Sequence, residues 1–183
     1  MANSTRRPSY QKSLGVGTSL FVLGFAMQVY AGPNTVADCN STAPTGANAT
    51  QCGEGADASG AESTAIGDSS TVLGLRGTAV GYQSDAGGEF TTVTGALANA
   101  SGDLSTAIGF QAVSTGLSST ALGTQSLATG NFSTAAGRTS EALDVGASAY
   151  GFGSEASGAS STALGTQSIA CLLYTSPSPR DRG

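Results

Sequence analysis

The nonapeptide SSTALGTQS occurs twice in the chain, at residues 118–126 and again at residues 160–168. The two copies are forty-two residues apart, which is three times fourteen. A fixed period of this length is the signature of an architecture built from stacked repeats. Glycine follows the fourteen-residue period without interruption, at Gly67, Gly81, Gly95, Gly109, Gly123, Gly137, Gly151 and Gly165.

A second glycine column runs seven residues out of phase with the first. Its members are Gly60, Gly74, Gly88, Gly102, Gly116, Gly130 and Gly158, and Asp144 takes the remaining place. Glycine adopts positive φ at little cost, and Asp enters the left-handed region more readily than bulkier residues. We therefore expect both columns to be turn positions with positive φ.

Numbered from Gly60, the fourteen-residue unit reads Gly-x-x-Ser-Thr-Ala-apolar-Gly-x-x-Ser-x-Ala-Ser/Thr. Position 5 is Thr64, Thr78, Thr92, Thr106, Thr120, Thr134, Ser148 and Thr162. Position 6 is Ala or Val, and position 7 is Ile66, Val80, Thr94, Ile108, Leu122, Ala136, Tyr150 and Leu164. Two short stretches per unit, each ended by glycine, favour strands over helices. The unit predicts an all-β parallel solenoid, or β-roll, in which each coil rises by about 4.8 Å.

Positions 6 and 7 are both small or apolar, although neighbouring residues on a strand point to opposite faces. Both faces are therefore expected to be shielded from water. Because a thin coil buries only one of them, the other is expected to contact another chain, and the alanines indicate that this contact is close. The alternative is a single solenoid with one exposed, alanine-rich face.

The units SGDLSTAIGFQAVST and ATGNFSTAAGRTSEA, at residues 101–115 and 128–142, resemble the YadA-like head repeats of trimeric autotransporter adhesins. The resemblance covers residues 60–170. It implies a left-handed parallel β-roll, with three identical chains side by side as a homotrimer. Threonine at position 5 departs from the family, which often carries valine there.

The beginning of the chain has the features of an export signal. Arg6, Arg7 and Lys12 precede an apolar run at residues 14–27, and small residues lead up to Ala31. We interpret residues 1–31 as a secretory signal peptide cleaved after Ala31, because the apolar run is short for a membrane span. The Arg6-Arg7 pair suggests the twin-arginine route, but the residues after it match that signal poorly, so a Sec-type signal is favoured.

Residues 32–59 form a polar segment that contains Cys39 and Cys52. The chain has no histidine to complete a metal-ligand set, and an exported protein meets an oxidising environment. A disulfide between the two cysteines is the favoured interpretation, with free thiols or bonds between chains as alternatives.

The last stretch, CLLYTSPSPRD, breaks the period at Cys171 and introduces prolines and arginines. It can be encoded by a nucleotide sequence that resembles the transposase adapter used to prepare sequencing libraries. We interpret residues 171–183 as an artefact of assembly, exclude them from the fold, and expect the natural chain to continue after Ala170. Cys171 is then not a functional thiol.

Between the signal and the tail, two arginines stand against eleven acidic residues, a net charge of about −9. Nucleic acid and anionic lipid are excluded as partners, because both are bound through basic patches. An enzyme is also excluded: without histidine, and without lysine after the signal, the hydroxyl groups have no adjacent base to activate them. No cofactor or metal is expected. Turn positions are predicted for Asp68, Asp85, Asp103, Asp144, Asn99 and Asn131.

A repeated, acidic, exported solenoid indicates a cell-surface adhesin head that binds extracellular matrix, host cells or other surfaces. The alternatives are a structural spacer or fibre segment and, with less support, an ice-binding solenoid built on the threonine column. Ligand specificity is expected in the variable positions, such as Leu75, Phe90, Leu104, Leu117 and Phe132.

Overall fold

The computed structural model describes Cys39 and residues 44–171. The predicted signal peptide and the tail after Cys171 lie outside these residues. Within them, strands of three residues alternate with strands of two. The three-residue strands are Thr50–Cys52 (β1), Thr64–Ile66 (β3), Thr78–Val80 (β5), Thr92–Thr94 (β7), Thr106–Ile108 (β9), Thr120–Leu122 (β11), Thr134–Ala136 (β13), Ser148–Tyr150 (β15) and Thr162–Leu164 (β17). The two-residue strands are Asp57–Ala58 (β2), Thr71–Val72 (β4), Asp85–Ala86 (β6), Asn99–Ala100 (β8), Val113–Ser114 (β10), Leu127–Ala128 (β12), Glu141–Ala142 (β14), Glu155–Ala156 (β16) and Ile169–Ala170 (β18).

The strands of the described residues form two parallel sheets. Sheet A contains the odd-numbered strands from β1 to β17, and sheet B the even-numbered strands from β2 to β18, each in chain order. Every strand pairs with the strand one repeat away, so that Thr64 lies opposite Thr78 and Val113 opposite Leu127. Each coil therefore contributes one strand to each sheet, and the predicted all-β parallel solenoid is confirmed. No helix within the described residues has the length and apolar character needed to cross a membrane.

The interior between the two sheets is narrow and filled by small side chains. Position 6 on sheet A and position 13 on sheet B are buried along the stack, and they are mostly alanine. Val72 and Val93 are the largest of the fully buried side chains. The prediction that the alanines contact another chain is wrong, because they pack against the opposite sheet of their own chain. Position 7 is the column that faces outward.

Buried hydroxyl groups close the turns between the sheets. Ser84 Oγ donates to the Gly81 carbonyl oxygen at 3.0 Å, and Ser119 Oγ donates to the Gly116 carbonyl oxygen at 2.7 Å. The same contact, from a serine or threonine to the carbonyl three residues earlier, recurs along the stack. These bonds satisfy polar groups that would otherwise be costly to bury.

The two glycine columns both lie close to the backbone of the next coil, but they differ in backbone conformation. The first column, from Gly67 to Gly165, has φ between 117° and 148°. The second column has no positive φ, so the prediction of a left-handed turn at Gly60, Gly116 and Asp144 is wrong. Glycine is needed there because the coils approach closely: a Cβ on Gly116 would lie 2.1 Å from the Gly130 carbonyl oxygen.

The left-handed positions of the turns are positions 3 and 10, which seldom carry glycine. Leu104, Gln125 and Phe132 are examples, with φ of 57°, 57° and 60°. Each is the third residue of a four-residue turn, and backbone bonds close the turns of Gln125 and Phe132, from the Ser126 amide to the Gly123 carbonyl and from the Ser133 amide to the Gly130 carbonyl. Inspection of the glycine pattern could not reveal these positions.

The solenoid begins one coil earlier than the predicted boundary at residue 60. Strands β1 and β2 pair in register with β3 and β4, although the sequence assigns them to a separate polar segment. Gln51 takes the place of the usual alanine at position 6, where it is 5% exposed. Its Oε1 accepts a hydrogen bond from the Ala58 amide at 3.1 Å. Because glutamine stands where the repeat has alanine, the first coil is not recognised from the repeat pattern.

Candidate interaction surfaces

The outer surface of sheet A, called the A face, carries the side chains of positions 5 and 7 of strands β1 to β17. Position 5 is a column of threonines broken by one serine, and position 7 is a largely aliphatic column. Ile66 and Ile108 are each 40% exposed and Leu122 is 38% exposed. Neither column contains a charged residue in the described strands. The A face is therefore a regular, uncharged strip along the solenoid.

The outer surface of sheet B, called the B face, carries position 12 and is acidic. Asp57, Asp85, Glu141 and Glu155 lie in this column. Glu141 and Glu155 are register partners in adjacent strands. The Asn99 side-chain amide donates to Asp85 Oδ2 at 2.9 Å. The prediction that Asp85 and Asn99 occupy turns is wrong, since both lie in strands.

Large apolar side chains line the turn at positions 2 and 3, called the first edge. Leu104 is 56% exposed and Phe132 is 61% exposed, and Phe90 and Leu117 extend the same row at 42% and 39%. Leu75 lies in this turn but is only partly exposed. The variable residues selected from the sequence therefore share one edge of the solenoid.

An arginine at the start of the first edge makes two contacts with neighbouring coils. Arg76 Nε donates to Glu62 Oε2 at 2.6 Å, and its guanidinium lies 5.7 Å from the centre of the Phe90 ring. The hydrogen bond from Arg76, assisted by its charge, lowers the pKa of Glu62. Both charged side chains are about half exposed, so this pair has little weight in the stability of the fold.

The turn at positions 9 and 10, called the second edge, carries a further aromatic row. Tyr82, Phe110 and Phe152 are 50%, 46% and 45% exposed. The Arg138 guanidinium lies 5.5 Å from the centre of the Phe152 ring, which repeats the arrangement of Arg76 and Phe90. This row was not identified from the sequence, although all three aromatic residues occupy position 9 of the repeat.

Side-chain oxygens also join the turns of adjacent coils. Asp103 Oδ1 accepts a hydrogen bond from the Glu89 amide at 2.9 Å, and Asn131 Oδ1 accepts one from the Leu117 amide at 3.0 Å. Both acceptors occupy position 2 and lie one coil after their donors. All three of Asp68, Asp103 and Asn131 are turn residues, and Asp103 and Asn131 also connect adjacent coils.

The N-terminal end of sheet A carries the cysteine pair. A disulfide joins Cys39 to Cys52, and the two residues form an isolated antiparallel bridge. Cys52 stands at position 7 of the first coil, so the bond lies on the A face. Cys171 is free and exposed. The described residues contain no group of three or more His, Cys, Asp and Glu side chains that could hold a metal ion.

The fourteen-residue repeat that builds this coil is matched by a protein-family model. The model for the YadA head domain repeat, which spans two copies of the unit, covers more than half of the chain, at residues 58–84, 86–112, 100–126, 114–140 and 145–168. The chain belongs to the YadA head-repeat family. Members of this family are adhesin heads of the autotransporter type, a structural kind of protein. No curated protein sequence matches the chain.

Proposed function

We propose that this YadA-like chain is the head of a trimeric cell-surface adhesin. Three chains, each left-handed as the family resemblance implies, associate through their A faces. The head is exported, stands on the bacterial outer surface, and attaches the cell to extracellular matrix, host cells or other surfaces. No cofactor and no nucleic acid take part.

The distribution of charge carries this proposal. Acidic side chains occur on the B face and on both edges, as Glu155, Glu62 and Asp68 illustrate, whereas the A face has none in the described strands. Burying an unpaired charge is costly, but burying aliphatic side chains stabilises an interface by about 25 cal/mol per Å². The A face can therefore be covered by other chains at low cost, and the acidic surfaces are suited to remain in water.

Association through the A faces leaves the B faces and edges free for ligands. Each of these surfaces repeats once per coil, so that one ligand type meets a row of similar contacts. Three chains triple the number of rows, and many weak contacts on one body give a high effective concentration. Attachment then depends on the number of coils rather than on one deep pocket.

The first test concerns assembly through the A face. Ile108→Glu places a charge at the centre of this face, and we expect sedimentation to show loss of the trimer. Leu104→Glu, on the first edge, is the matched control and should leave the trimer intact. A folded, monomeric wild-type chain at micromolar concentration would contradict the proposal.

The second test concerns attachment. The full chain is displayed on cells, and retention on a matrix-protein coating is measured for deletions of seven, fourteen and twenty-eight residues starting at Gly102. A deletion of fourteen removes one whole coil and should weaken retention slightly, and twenty-eight should weaken it more. A deletion of seven places the residues of each strand on the other strand of the coil, so that the two sheets no longer continue in register, and should disrupt the coil. Equal retention for all three deletions would indicate that the solenoid is a spacer and does not itself bind the coating.

A further inference from the structure

Near-identical repeats leave the axial alignment of neighbouring chains undetermined. Residues 118–126 and 160–168 have the same sequence, and every strand pairs with the strand one coil away. A chain displaced by one coil would present almost the same A face to its neighbours. Regular repeats of this kind specify register weakly unless particular side chains break the symmetry.

Position 7 contains the largest break in the regularity of the A face. Most of this column is Ile, Val or Leu, but Ala136 is followed one coil later by Tyr150. The two residues are register partners in β13 and β15, so the smallest and the largest side chains of the column are neighbours. Tyr150 is 40% exposed, which leaves its ring available to a partner chain.

We infer that Ala136 and Tyr150 set the axial register of the assembled chains. This inference rests on the proposed trimer, and the partner is a second copy of this chain. When all chains are aligned, the alanine layer leaves room for the rings of the tyrosine layer beside it. When one chain is displaced by one coil, a ring meets an aliphatic layer that has no such room, and a gap opens beside the alanine. Overpacking and cavities are both destabilising, so the aligned state is selected.

The register is measured with two cysteine variants of the full chain. One chain carries Val80→Cys and the other Thr94→Cys, which are register partners in the same column. Both also carry Cys171→Ser, and the Cys39–Cys52 disulfide is retained. A disulfide requires Cα atoms within about 7 Å. In aligned chains the like positions are therefore closest, whereas unlike positions are separated by a further axial offset of about 4.8 Å. A rise of the mixed cross-link relative to the like cross-link reports displacement by one coil.

We expect the wild-type background to give cross-links mainly between like positions. Introducing Ala136→Leu together with Tyr150→Leu gives leucine at four successive coils of the column, from Leu122 to Leu164, and should raise the mixed cross-link about tenfold, equivalent to about 1.4 kcal/mol. Leu122→Ile is the control and should leave the mixed cross-link at its wild-type level. If the double variant does not fold, Tyr150→Leu alone, which only shortens the side chain, should give a smaller rise.

The outcomes separate the inference from the proposed trimer. If the double variant leaves the mixed cross-link at its wild-type level, the role of Ala136 and Tyr150 is overturned and the trimer stands. A monomer in sedimentation, with no cross-link between chains, overturns the trimer itself and the register inference with it.

Discussion

Val72 occupies the space that a side chain at residue 77 would need. A Cβ on Gly77 would lie 2.6 Å from Val72 Cγ1, well inside van der Waals contact. Val72 stands at position 13, where most coils have alanine, and Gly77 stands at position 4, where most have serine. The two departures from the repeat therefore compensate for each other across the interior.

This compensation predicts strong coupling between the two positions. Gly77→Ser should overpack the interior and cost about 1–3 kcal/mol, and Val72→Ala should cost a similar amount by leaving a cavity. The double variant restores the common repeat, so its loss should be smaller than the sum by about 0.5–3 kcal/mol. Urea unfolding of all four proteins measures the coupling, and additive losses would contradict it.

The first glycine column predicts a large penalty for any side chain. Gly109 has φ of 135°, and a Cβ there would lie 2.5 Å from the Gly123 carbonyl oxygen. Gly109→Val should therefore lower the free energy of unfolding by more than about 2 kcal/mol. The control is Gly146→Asn: with φ of 66° and 3.5 Å to its nearest neighbour, the site should tolerate asparagine. Equal losses in thermal stability would mean that backbone geometry is not the cause.

The acidic pair of the B face predicts a stabilising substitution. Glu141 and Glu155 carry like charges in adjacent parallel strands. Glu141→Gln should raise the free energy of unfolding by about 0.2–1 kcal/mol at low salt, because repulsion between neighbouring strands is relieved. Salt screens exposed charges, so the gain measured by urea unfolding should shrink at about 1 M salt. A gain that does not depend on salt would indicate another cause.

The contact between Arg76 and Glu62 predicts a pKa change that can be measured by NMR titration. The pKa of Glu62 lies below its ordinary value of 4.5, first through the hydrogen bond from Arg76 and then through its charge. The small stabilisation is complete above the ordinary pKa and is lost as the pH falls through the lowered pKa. Arg76→Gln should return the pKa of Glu62 towards 4.5. Arg138→Gln, at the second edge, should leave it unchanged.

The cysteine pair predicts a local loss of protection at the N-terminal coil. Replacing Cys39 and Cys52 together by serine should cost about 2–4 kcal/mol, because the disulfide restrains the unfolded chain. Amide hydrogen exchange should rise mainly in β1 and β2. Cys171→Ser is the control and should have no effect, since that thiol is free and exposed. Two reactive thiols at Cys39 and Cys52 in the oxidised protein would contradict the bond.

The repeat period by itself determined the class of fold. Gly109 and Gly123 at a spacing of fourteen, with two short strands between successive glycines of this column, require equivalent residues to stack. Stacking of equivalent residues in turn requires parallel strands in register. The sequence also shows that positions 5 and 7 are uncharged, because charge depends on residue type and not on which residues are in contact.

Only the tertiary structure decided which apolar column lies inside. In the strand Thr106–Ile108, the side chain of Ala107 lies on the opposite face from those of its two neighbours. This alternation does not determine which of the two faces packs against the other sheet. That choice depends on the strand across the coil, where Ser114 and its equivalents leave room for small side chains alone. The space around the glycines is set in the same way: a Cβ on Gly109 or on Gly116 would lie 2.5 Å or 2.1 Å from a carbonyl oxygen of the next coil, and only Gly109 also has a positive φ. A period identifies equivalent residues, but the space around each of them is set by the chain that folds back against it.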